Sequence, residues 1–107
     1  MRAAKASKYH SVKTQVDGER FDSRREAARW RELQMMERAG KITGLRRQEA
    51  FVLIPRSRHG RAIKYVADFV YEENGRQVIE DVKGYRTQVY RLKRRMMAEM
   101  GHEIVEV

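Results

Sequence analysis

At 107 residues, 41% of them hydrophobic and 36% charged, the chain suits one compact domain and is too apolar for a disordered tail. Its 24 Lys and Arg against 15 Asp and Glu leave a net charge of +9, which points to a polyanionic partner, nucleic acid first. With no cysteine there is no disulfide scaffold, zinc ribbon, iron–sulfur site or thiol catalysis, and His10, His59 and His102 are too far apart in sequence for a local metal motif.

Residues 1–13 carry Arg2, Lys5, Lys8 and Lys13 with almost no apolar pattern, and read as a basic, mobile arm that is either solvated or laid on phosphates. This start lacks the apolar core of a signal peptide, and no run of about 18 apolar residues follows to span a membrane. A cytoplasmic protein without a membrane partner is expected. One domain should occupy 14–107. Asp17-Gly18, between Thr14-Gln15-Val16 and Glu19-Arg20-Phe21, suggests a short hairpin. Ser23 followed by Glu26 forms a capping box that opens a helix to about Ala39, with Ala27, Trp30, Leu33 and Met36 facing a core and Gly40 ending it.

From Leu45 the apolar period changes to two, giving a strand that ends at Pro55. A basic loop, Arg56 to Arg61, leads to a second strand from about Ile63 to Glu73. Asn74-Gly75 turns the chain into a third, from about Arg76 to Lys83, with Gly84 ending it. Thr87 caps a second helix whose expected apolar stripe is Val89, Leu92, Met96 and Met100, and Gly101 stops it. Ile104, Val105 and Val107 make a last strand. Strand, helix and strand in about 30 residues form a crossover unit, so this strand should run parallel to the third. The order is αβββαβ, an α/β fold with a mixed sheet flanked by helices.

The Asn-Gly turn fixes a register. With Asn74 and Gly75 as the two loop residues, facing positions sum to 149, so Asp68 faces Asp81 and Lys83 lies on the same side, opposite Val66. Two carboxylates at about 5 Å repel by roughly 3 kcal/mol at an effective dielectric of about 20. A divalent cation between them reverses that sign, and oxygen ligands without His or Cys favour Mg²⁺ or Mn²⁺. Such an ion could activate water at a scissile phosphate, with Lys83 holding the water or the developing charge. The bland alternative is an ion-pair network of Asp68, Asp81, Lys83 and nearby arginines. Glu80, next to Asp81, points to the opposite face and is expected to be solvated or paired with an arginine.

Asp68, then twelve residues, then Asp81-Val82-Lys83, resembles the motif of the PD-(D/E)XK nuclease superfamily, whose common core has this αβββαβ (restriction-endonuclease-like) order. The segments Phe21-Asp22-Ser23, Glu26-Ala27, Val66-Ala67-Asp68-Phe69, Glu80-Asp81-Val82-Lys83-Gly84 and Val89-Tyr90 look most like a family of small, phage-encoded, uncharacterised proteins. The superfamily includes Holliday-junction resolvases and TnsA-type transposon nucleases. Ala67 stands where the motif name has proline, and Asp81 where glutamate is more frequent.

The resemblance implies a metal-dependent DNA endonuclease, acting in a bacterial host cell, with Asp68 and Asp81 holding Mg²⁺ or Mn²⁺. The Val82 carbonyl would add a ligand, Lys83 would position the nucleophile, and Glu26 would complete the site, unless Glu26 only closes its capping box. Gln48 matches a first-strand glutamine of some members, or else satisfies a backbone group. Candidate nucleic-acid contacts are Arg24, Arg25, Arg46, Arg47, Gln48, Tyr85, Arg86, Lys93 and Arg94. By analogy, the substrate is double-stranded or branched DNA, as handled in phage recombination. A homodimer with sites on opposite strands would suit so small a chain. The alternative is a non-catalytic basic DNA-binding protein on a nuclease-like fold.

Overall fold

The computed structural model describes residues 14–16, 19–21, 23–83 and 85–107. The expected N-terminal arm, the Asp17-Gly18 turn, Asp22 of the quoted motif and the strand-ending Gly84 lie outside the described residues. A small antiparallel hairpin, β1 (Thr14–Val16) and β2 (Glu19–Phe21), precedes helix α1 (Arg24–Arg38). Three antiparallel strands follow, β3 (Thr43–Ile54), β4 (Ile63–Glu73) and β5 (Arg76–Asp81), then helix α2 (Gln88–Glu99) and β6 (Ile104–Glu106). The four-stranded sheet has the order β3-β4-β5-β6, and β6 runs parallel to β5. This is the mixed α/β architecture anticipated from the sequence, consistent with a restriction-endonuclease-like core.

Local chemistry accounts for each boundary. Ser23 has an extended backbone, and its Oγ accepts from the Glu26 amide at 3.1 Å; Thr87 does the same for the Tyr90 amide at 3.0 Å. At the β4–β5 turn both Asn74 (φ 53°) and Gly75 (φ 78°) are left-handed, the geometry a two-residue hairpin needs to match the strand twist. The register is the expected one, from Glu73 opposite Arg76 to Phe69 opposite Glu80. The ladder stops there, one step short of Asp68 and Asp81, which the expected register would pair next.

Each helix covers one face of the sheet. On one side Leu33, Ala27, Trp30 and Met36 of α1 pack with Phe21, Ile42, Phe69 and Tyr71. Trp30 stacks on Phe69 with ring centroids 5.8 Å apart. On the other side Tyr90 and Met97 of α2 pack on Tyr65, Ala67, Val70, Ile79 and Ile104. The buried face of α2 is therefore not the expected stripe: Val89, Leu92 and Met100 are exposed, and only Met96 of the four is half-buried. Apolar residues occupy two adjacent faces of this helix. The face with Tyr90 wins because its ring fits over Tyr65 and its hydroxyl reaches Glu106 at 2.7 Å.

Along β4 the side facing α2 changes parity, from Tyr65 and Ala67 to Val70, with Asp68 at the change. Its neighbour on β3, Gln48, has a left-handed backbone (φ 55°), rare for a residue with a side chain and costing about 1 kcal/mol or more. The sheet is distorted where the candidate site lies.

Candidate active site

Glu26, Gln48, Asp68, Asp81, Val82 and Lys83 line one open cleft of about 620 Å³. α1 contributes Glu26 from its first turn, β3 contributes Gln48 from its distorted residue, the middle of β4 contributes Asp68, and the end of β5 with the two residues after it contributes Asp81, Val82 and Lys83. Asp68 is anchored across the hairpin: its Oδ2 accepts the Val82 amide at 2.9 Å, and its Oδ1 accepts from Gln48 Nε2 at 3.4 Å. The same Gln48 amide donates to Glu26 Oε2 at 3.1 Å, so one side chain ties the helix carboxylate to the strand carboxylate. Arg47 Nη2 lies 3.9 Å from Glu26 Oε2 while its guanidinium covers the Phe21 ring at 4.2 Å.

Asp81 is buried, accepts the Tyr65 hydroxyl on Oδ2, and has the Lys83 ammonium 3.2 Å from Oδ1. The ammonium also sits 4.0 Å over the Tyr90 ring, which holds it at the wall of the cleft. From Asp81 to Lys83 the backbone is pinned by the residue after β6: the Val107 amide donates to the Asp81 carbonyl at 3.0 Å, and Lys83 N donates to Val107 O at 3.3 Å.

Crowding these carboxylates has an electrostatic consequence. Burial, then the charge of Asp81 and then that of Glu26 push the Asp68 carboxyl up to about 8, against the opposing pull of the Val82 amide. The same burial, with Asp81 as partner, holds the Tyr65 hydroxyl protonated far above its ordinary range. Lys83 beside Asp81 and Arg47 beside Glu26 offset part of this charge, and a proton or a bound cation would relieve more. The site's carboxylate donors are all oxygen, which fits a hard divalent ion in chemistry. Among the described residues, no three His, Cys, Asp or Glu side chains come together as a ready enclosure.

The proposed nucleic-acid contacts divide. Arg25, Gln48, Tyr85 and Lys93 line the cleft, Tyr85 with its ring well exposed. Arg25 is also a clamp, donating to Lys83 O at 3.1 Å and Val107 O at 3.0 Å. Arg86 and Arg94 both reach Glu106, at 2.7 and 3.2 Å, and the hydrogen bonds of Arg86 and Tyr90 hold that carboxyl down to about 2. Arg46 is engaged by Glu49 and Glu72, and Arg24 is exposed outside the cleft. Lys64 and Tyr65 are among the lining residues not anticipated from the sequence. Lys64 shares the Asp68 face of β4 at a spacing of four, a signal legible by alternation. Tyr65 should by the same alternation face away; only the parity change beside Asp68 lets its hydroxyl reach Asp81.

A family model described as a protein of unknown function (DUF1064) matches residues 6–105, all but a few residues at each end. The chain belongs to the DUF1064 family. The searches of curated proteins and of solved structures returned no match for it. The candidate site of this DUF1064 chain therefore rests on its own geometry. No helix among the described residues is long and apolar enough to cross a membrane.

Proposed function

We propose that this chain is a metal-dependent DNA endonuclease of the PD-(D/E)XK type. One observation carries the reading: Asp68, Asp81 and Lys83 converge with Glu26 on a single cleft of a chain with net charge +9. Asp68 and Asp81 would hold Mg²⁺ or Mn²⁺, with the Val82 carbonyl and Glu26 as further candidate ligands. A bound ion would neutralise charge on the scissile phosphate and acidify the attacking water.

The chain's own residues supply the rest. Lys83, poised between Asp81 and the cleft, pairs with a phosphate oxygen or orients the water. Water adds through oxygen to phosphorus and the phosphorus–oxygen ester bond breaks. One proton ends on the leaving hydroxyl and the other passes to solvent, leaving a phosphomonoester. Gln48 keeps Glu26 and Asp68 aligned, and Arg25 holds the Lys83 backbone in place. By resemblance, the favoured substrate is branched DNA of phage recombination.

A second reading is a DNA-binding protein without catalysis, favoured by the protein partners that Asp81 already has in Tyr65 and Lys83. Incubation with linear, nicked and four-way-junction DNA in Mg²⁺, Mn²⁺ or EDTA separates the two. Cleavage is expected only with metal, and Asp81→Asn should lower it at least about 100-fold while binding persists. Binding without cleavage under every condition selects the second reading.

A further inference from the structure

The sheet is lopsided. β4 pairs with β5 only from Phe69 onward, so its first five residues, Ile63–Ala67, pair with β3 alone. The β3–β4 hairpin thus projects past the other strands by about 17 Å at roughly 3.4 Å per residue, before its turn is counted. One face of this ribbon is covered by α2, where Tyr65 and Ala67 are buried. The other face, Val52 and Ile54 on β3 with Lys64 and Val66 on β4, is exposed, and it runs directly into Asp68.

The tip is an ordered, cationic turn. Ser57 and Gly60 exchange backbone hydrogen bonds of 3.0 and 3.2 Å, and the His59 amide donates to Ser57 Oγ at 3.1 Å. From Ala50 to Ala67 the sequence has no acidic residue, yet it carries Arg56, Arg58, Arg61 and Lys64. None of these four forms an ion pair with a described carboxylate, whereas Arg86, Arg94, Arg29 and Arg46 all do. Cations left in solvent on a projecting ribbon keep their full charge for a partner.

We infer that the β3–β4 hairpin is a second contact surface for duplex DNA, with Arg56, Arg58 and Arg61 gripping backbone phosphates away from the catalytic cleft. A two-stranded ribbon fits the major groove, and its exposed valine and isoleucine side chains suit base edges and sugars there. The ribbon's length of about 17 Å before the turn places the tip at least roughly half a helical turn, or five base pairs, from a phosphate bound at Asp68. The choice of ligand rests on the nuclease reading, but the contact is separable from catalysis.

The experiment measures affinity for a 30-base-pair duplex in EDTA at several salt concentrations. Wild type is compared with Arg56→Gln/Arg58→Gln/Arg61→Gln, and cleavage by wild type is assayed in parallel. Three lost phosphate contacts should flatten the slope of log K against log salt by about 2.7 and weaken binding at least about tenfold. The melting temperature should change by no more than a few degrees, because these side chains are exposed. Equal slopes and affinities, with wild type still cleaving, overturn the arm and leave the nuclease reading standing. A flattened slope with no cleavage at all supports the arm and fails the nuclease. Wild type that binds no DNA overturns both. If the triple variant binds like wild type and Val52→Lys/Ile54→Lys turns a dimer into a monomer, the face joins protein copies and the DNA arm is overturned.

Discussion

Arg29 and Glu80 meet beneath α1 in a two-pronged contact, Nε to Oε1 at 2.8 Å and Nη2 to Oε2 at 2.6 Å. Glu80 is 1% exposed and also accepts the Tyr71 hydroxyl. The pair locks α1 onto β5 at the residue before Asp81, one helical turn from Glu26, and so sets the distance between the two parts of the candidate site. Glu80, expected from alternation to be solvated or paired with an arginine, is paired and buried.

Removing Arg29 strands a buried carboxylate. Arg29→Met should cost about 3 kcal/mol and lower the melting temperature by about 12 °C or more. Adding Glu80→Gln should recover part of that loss, because the uncompensated charge disappears. Circular-dichroism melting of the single and double variants checks this; a single-variant shift below about 2 °C would refute the coupling.

Stability of the metal-free protein should depend on Asp68. Its folded value of about 8 lies above its ordinary 3.8, so the native state binds the extra proton between those limits. Stability therefore falls as pH rises from about 4 through about 8. Asp68→Asn should flatten that fall and be the more stable protein at pH 8. Denaturant titrations in EDTA across this range decide it, and parallel pH profiles for the two proteins would contradict the crowding of the three carboxylates.

Cation binding relieves the same crowding. Mn²⁺ at about 100 times its dissociation constant should stabilise wild type by about 2.7 kcal/mol and raise its melting temperature. The Asp68→Ala/Asp81→Ala protein should be indifferent. An equal rise in both would locate the ion elsewhere.

Lys93 and Arg94, neighbours on α2, should differ toward DNA. Lys93 lines the cleft, while Arg94 is held by Glu106. Lys93→Gln should flatten the salt dependence of DNA affinity by about 0.9, and Arg94→Gln by much less. Affinity at three or more salt concentrations tests the difference; equal slopes for the two variants would mean that Glu106 does not restrain Arg94.

What the sequence determined by itself was local and periodic. Asn74-Gly75 admits one tight hairpin geometry, and strand alternation then carries the register as far as Phe69 and Glu80, the step before Asp68 and Asp81. Ser23 and Thr87 announce their helices because a capping oxygen needs only the next turn of backbone.

Tertiary structure alone decided what depends on residues far apart in the chain. The parity change beside Asp68, met by left-handed Gln48, brings Tyr65 to Asp81 against simple alternation. Which side of α2 is buried was settled by Tyr65 and Glu106, not by the helix's own apolar pattern. The arginines look equivalent as letters, because a guanidinium's partner is fixed by packing and not by its neighbours in sequence. Folding spends Arg25 on carbonyls, Arg29 on Glu80 and Arg86 on Glu106, and leaves Arg56, Arg58 and Arg61 facing water at the tip of the ribbon.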